Sequence, residues 1–134
     1  MPHRNSLYSL ALAADQNPGR PDRAYWLNFF NRPTPFVTGP DKGARAGNLP
    51  VLFCAIVKPK RGYYHLNFVN GEENPASLEV GELTVRFARY LEDVIRKNPD
   101  MWLWSHRRWK HEWSEKFRKQ WIDKSEPVLP EATK

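Results

Sequence analysis

With 134 residues and 15.8 kDa, 40% of them hydrophobic and 27% charged, the chain can bury one core but not two, and it is too apolar for wholesale disorder. A formal charge of +6 and a pI near 9.6 point to an anionic partner, which charge alone leaves open between nucleic acid, lipid phosphate and an acidic carrier protein. The single cysteine excludes a disulfide framework, no apolar run approaches the roughly 18 to 20 residues of a bilayer span, and Met1-Pro-His-Arg4 lacks the apolar core of a signal peptide.

In chain order, Leu7 to Ala14 is apolar and stops at Asp15-Gln-Asn-Pro-Gly-Arg-Pro21, which predicts a short buried strand feeding an exposed turn. Tyr25-Trp-Leu-Asn-Phe-Phe30 followed by Asn31-Arg-Pro-Thr-Pro-Phe-Val37 reads as a surface loop carrying aromatics, because its prolines forbid a helix. Gly39-Pro40 opens a short helix through Asp41 to Ala46, ended by Gly47-Asn48. Val51 to Lys58 is a continuous apolar run and Tyr63 to Val69 alternates, giving two strands joined by Pro59 to Gly62. Cys54, set among Val51-Leu-Phe and Ala-Ile-Val57, is expected to be a buried packing residue. From Glu82 to Lys97 the residues Leu83, Phe87, Tyr90, Leu91, Val94 and Ile95 follow one helical face, with Arg86, Arg89, Glu92, Asp93 and Arg96 off it. Asn98-Pro99 ends that helix and caps a further short one. These elements predict a single α/β domain over residues 1–124, a partial mixed sheet with packed helices, and a disordered tail at 125–134.

Met101-Trp-Leu-Trp-Ser-His-Arg-Arg-Trp-Lys-His-Glu-Trp113 concentrates four tryptophans, two histidines, two arginines and a lysine. His106 and His111 would fall on different helical faces with no cysteine pair or carboxylate to complete a shell, so no metal ligand and no cofactor is assigned. No Gly-x-Ser-x-Gly elbow or glycine-rich phosphate loop is present. Interleaved Trp and Arg would suit a small nucleic-acid-binding module, by stacking and phosphate contact, or an interfacial segment on an anionic membrane. In the blander alternative Trp102, Leu103 and Trp109 pack beneath the long helix and Arg107, Arg108 and Lys110 are simply solvated.

Five motifs occur in an order that carries a resemblance: Asp15-Gln16; Phe29-Phe30-Asn-Arg-Pro-Thr34; Asn48-Leu-Pro-Val51; Tyr90-Leu-Glu-Asp-Val-Ile-Arg-Lys-Asn-Pro99; and Trp102-Leu-Trp-Ser-His-Arg-Arg-Trp-Lys110. The chain resembles the C-terminal half of the lipid A biosynthesis acyltransferases, members of a group of glycerolipid and lysophospholipid acyltransferase-like proteins, over about residues 7–113. The resemblance implies an enzyme at the cytoplasmic face of the bacterial inner membrane that moves a fatty acyl chain from acyl carrier protein to a hydroxyl of a lipid A precursor. Nucleic acid is not a partner in that reading.

In the family the chemistry rests on a His-x4-Asp/Glu pair, the histidine as general base. Here His3 meets Tyr8 five residues on, His65 meets Asn70, His106 meets His111 and His111 meets Lys116, so no catalytic residue is assigned. With only fourteen residues before Asp15, the expectation is a C-terminal portion that is inactive alone and self-associates through an uncovered sheet edge. The resemblance further implies that Asp15 and Gln16 line the cleft, that Phe29 and Phe30 border the acyl chain, and that Arg107, Arg108 and Lys110 meet phosphate. Trp102, Trp104 and Trp109 would anchor that segment at the membrane interface or against the domain. Asn31 stands where a glycine commonly follows the Phe-Phe pair.

Overall fold

The structure, a computed structural model, describes residues 7–129. Strands β1 (Tyr25–Phe29) and β2 (Arg32–Phe36) form one antiparallel pair, helix α1 spans Gly39–Gly47, β3 (Val51–Lys60) and β4 (Tyr63–Glu72) form a second pair, and helix α2 spans Glu82–Lys97. Short 3-10 turns occupy Pro21–Arg23, Pro75–Ser77, Pro99–Met101 and Glu115–Gln120. The fold is α/β as expected, and a parallel bridge between Trp26 and Trp121 adds the mixed pairing.

The largest departure is the 25–37 region, which is the heart of the core and not a surface loop. Trp26, Leu27 and Phe29 are wholly buried and Phe36 nearly so. Its prolines are tolerated because of register. Trp26 and Asn28 turn their backbone groups away from β2, toward Ile122 N, the Asp123 carboxylate and Arg89. Pro33 and Pro35, opposite Asn28 and Trp26, therefore sit where no ladder N–H is required. Phe30 and Asn31 link the strands at φ 50° and 56°, the positive-φ pair of a tight hairpin turn.

Helix α2 lays Leu83, Ala88 and Ile95 against both pairs of strands, and its expected limits hold. Glu92 is buried, contrary to its expected place off the packed face: it accepts a hydrogen bond from Phe30 N at 2.6 Å and faces Arg89 and Arg96, which explains how a carboxylate survives there. Helix α1 also forms as expected, closed by Asn48 at φ 45°, whose side chain reaches Asn74 and Ala76 N.

The β3–β4 hairpin forms with the expected limits to within three residues, yet it stands out from the body. Only Phe53 is buried in it, with its ring 5.4 Å from Phe87 and 5.3 Å from Tyr90. Gly71 leaves room for that ring, since a Cβ there would come within 2.8 Å of it. Cys54, on the opposite face, is exposed, and so are Leu52, Ile56, Leu66 and Phe68. An apolar run signals burial only if a second layer covers both faces, and here one face has none.

Three other expectations change. Leu7 to Ala14 forms no strand, and Leu7, Leu10 and Leu12 are exposed. After Asn98 the chain makes one 3-10 turn and then runs irregularly through residues 102–114, held by side-chain docking in place of a helix. Residues 125–129, assigned to a disordered tail, lie along β1, where Asn28 bonds Ser125 Oγ, Glu126 O and Val128 N; the remainder of that tail lies outside the described residues. Trp113, Phe117 and Trp121 then close over Trp26, with Phe117 stacked at 4.9 Å and Trp113 edge-on at 5.3 Å.

Candidate functional site

The first and last of the five motifs are ninety residues apart and meet. Asn17, directly after Asp15-Gln16, donates from Nδ2 to Arg107 O at 2.6 Å and accepts from Arg108 Nη1 at 2.9 Å. His111 Nε2 lies 3.2 Å from Pro18 O. Asn17, absent from the motifs, and His111, considered in the sequence only as a metal ligand or base, thus form the clasp. The signal available was adjacency to the two motifs.

Arg108 is the keystone. It is 1% exposed, donates Nη2 to Pro35 O at 2.9 Å, and lies over the Phe36 ring at 4.2 Å and the Phe29 ring at 5.7 Å. Burial drives its pKa down to about 10, and the nearby Asp15 carboxylate opposes that fall without forming a direct salt bridge. Asp15 is half-buried and Gln16 exposed at this junction. The Arg-Arg pair therefore splits. Arg108 faces inward and is not available to a phosphate, whereas Arg107 and Lys110 are exposed and free of salt bridges among the described residues.

An open hollow of about 370 Å³ lies over this segment, walled by Trp102, Trp104 and Trp109, with Arg107, Lys110 and His106 contributing positive or titratable groups and Glu112 the only carboxylate. Of the three tryptophans only Trp104 projects, at 61% exposure, with its Nε1 bonded to Pro99 O. Trp102 and Trp109 pack against Phe29, 6.4 and 6.2 Å between ring centres, so they brace the segment against the domain. Arg32 caps Trp109 at 5.3 Å. Phe29 is core, removed from any cleft; half-buried Phe30 lies under Arg96 at 5.1 Å. Arg107 and Lys110 thus line the hollow, Asp15 and Gln16 precede the Asn17 clasp without lining it, and Phe29 and Phe30 lie outside the lining.

Among the described residues no group of three or more His, Cys, Asp or Glu could hold a metal ion, and no helix is long and apolar enough to cross a membrane. What the arrangement offers is an anion-seeking surface: two unpaired cations, a projecting indole and a rigid backing. The chain matches, over residues 3–111, the family model described as bacterial lipid A biosynthesis acyltransferase. No curated protein matches it.

Proposed function

The chain belongs to the bacterial lipid A biosynthesis acyltransferase family, and from that premise we propose that it forms the acceptor-side wall of an enzyme transferring a fatty acyl chain from acyl carrier protein to a hydroxyl of a lipid A precursor at the cytoplasmic face of the inner membrane. The observation that carries this reading is the clasp joining Asp15-Gln-Asn17 to Arg107-Arg108, because it assembles two distant family motifs into one surface. Arg107 and Lys110 meet phosphate on the glycolipid or the anionic bilayer, Arg108 acts as a positioning residue beneath them, and Trp104 enters the headgroup layer. Asp15 and Gln16 border the acceptor.

No histidine in the sequence has an acid five residues on, so the proton of the attacking hydroxyl has no His-carboxylate acceptor within this chain. The chain alone is accordingly a binding wall without turnover. A nucleic-acid module would need rings and cations presented together, whereas Trp102 and Trp109 face Phe29. The apolar face and free edges of the β3–β4 hairpin give the same chain a second tendency, self-association.

The test compares vesicles of anionic and zwitterionic lipid with single-stranded DNA. Trp emission should shift to the blue on anionic vesicles only, and Arg107→Ala with Lys110→Ala should abolish most of the binding. Preference for DNA at physiological salt, or acyl transfer to a lipid A precursor by the isolated chain, refutes the reading.

A further inference from the structure

The outer face of the β3–β4 hairpin carries a pattern of charge as well as an apolar surface. Along β3, Leu52, Cys54, Ile56 and Lys58 are exposed, while the residues between them are buried or half-buried on the side that packs on α2. Register brings β4 into the same face, since Leu52 pairs with Asn70, Cys54 with Phe68 and Ile56 with Leu66. Tyr64 follows two residues nearer the tip than Leu66. The five large apolar side chains, Leu52, Ile56, Tyr64, Leu66 and Phe68, are each 54% to 63% exposed.

The two ends of this face differ in sign. Lys58 stands two residues beyond Ile56, toward the tip. At the base, Asn70 Nδ2 donates to Glu73 Oε1 at 3.1 Å, which holds that carboxylate beside the face. Neither Lys58 nor Glu73 makes a salt bridge among the described residues, whereas the adjacent Glu72 is taken by Arg86 at 2.7 Å. Lys58 lies one step above the Ile56–Leu66 pair and Asn70 one step below the Cys54–Phe68 pair. A two-fold axis normal to the face, between Cys54 and Ile56, therefore lays the basic tip of one hairpin on the acidic base of another. A face that is cationic at one end, anionic at the other and apolar between is complementary to itself after half a turn.

We infer that the outer face of the β3–β4 hairpin seats a second copy of this chain, packed sheet on sheet about 10 Å apart around that axis, with Lys58 of each copy opposite Glu73 of the other. The exposed parts of the apolar side chains amount to roughly 600 Å² per copy, or about 1,200 Å² for the pair, which reaches the lower limit of a specific interface. The edges are the poorer route, because register shifts interrupt both ends of the ladder and Pro59 lies near the tip. The inference rests on the self-association reading, to which it gives a closed stoichiometry, and acyl transfer does not enter it.

Sedimentation velocity on the full chain, from about 1 to about 100 µM, reads the stoichiometry. A monomer–dimer equilibrium without larger species is expected. Lys58→Glu and Glu73→Lys, both at exposed positions, should each raise the dissociation constant at least about tenfold, because symmetry applies every reversal twice. Combined in one chain, the two reversals should restore dimerisation to within a few-fold of wild type. Phe68→Asp should remain monomeric throughout, with the urea midpoint of the dilute chain unchanged. Cys54 lies beside the axis, so a short thiol crosslinker should join two copies of the wild type and none of Phe68→Asp. Open-ended assembly, or reversals that fail to rescue each other, overturns the two-fold pairing and leaves self-association standing. A wild-type chain that stays monomeric overturns both. Binding of that monomer to zwitterionic vesicles, lost in Phe68→Asp, would then assign the face to lipid.

Discussion

Replacing Arg108 separates two contributions that a buried arginine combines. Its guanidinium satisfies Pro35 O and Asn17 Oδ1 and covers the Phe36 ring, so truncation leaves two acceptors facing apolar surroundings, each worth about 2 kcal/mol. Against this, the charge is buried without a salt bridge. A fall of its pKa from 12.5 to about 10 corresponds to roughly 3 kcal/mol that any neutral replacement recovers. Arg108→Met, which keeps most of the volume and discards the charge, should therefore be destabilising by only about 1 kcal/mol. Arg108→Ala adds lost packing over Phe36 and should reach about 2 to 3 kcal/mol. Arg108→Lys keeps the buried charge but cannot reach both acceptors or stack on the ring, and should be at least as damaging as alanine. Urea unfolding followed by Trp fluorescence reads the order directly. With a slope of about 1.5 kcal/mol per molar, Met and Lys variants should differ in midpoint by about 1 M. A lysine variant near wild type, or a methionine variant worse than alanine, would refute the balance drawn between desolvation and hydrogen bonding.

Asn31→Gly should stabilise the chain by up to about 1 kcal/mol in the same assay, because φ 56° is strained for any side chain and Asn only tolerates it; a loss of stability would mean that the Asn31 side chain contributes something further. Cys54 should react with a thiol reagent in the folded protein within a few-fold of its rate in denaturant, and protection by orders of magnitude would contradict its exposure. Glu72 is held below its usual pKa by the Asn74 N–H and by Arg86, and Glu82 chiefly by Arg86. Folding therefore binds fewer protons there than unfolding does, so their stabilisation is present above about pH 4.5 and is lost as pH falls below it. Arg86→Ala should flatten that acid limb, and an unaltered limb in this variant would show that the ion pairs are unimportant.

Local signals carried α1, β3, β4 and α2 because each rests on its own pattern or cap: Gly39-Pro40 before one helix, the 3.6-residue apolar face of the other, and the Pro59 to Gly62 connection between a continuous apolar run and an alternating one. They failed where partners distant in sequence decide. Pro33 and Pro35 read as breakers until the register turns their missing N–H groups away from β1, and that register is legible only with Arg108 and Arg89 in view. Composition likewise made Arg107 and Arg108 equivalent, whereas Asn17 and Pro35 draw one inward and leave its neighbour at the surface. The first and last of the ordered motifs meet through Asn17, a junction that no single residue announces in the sequence.

That assembly has a bearing on synthesis. Asn17 is clasped by Arg107 and Arg108, and Asn28 by Val128, across separations of 90, 91 and 100 residues. Closing loops of that length costs about 4 kcal/mol of chain entropy before any bond repays it. A nascent chain leaving the ribosome can wind α1 and α2 early, but the Asp15-Gln16 junction and the buried face of β1 must wait for the final stretch to emerge. Premature termination before Glu112 would strip the candidate cleft while leaving both helices coded intact, which makes residues 102–128 the timekeeper of folding.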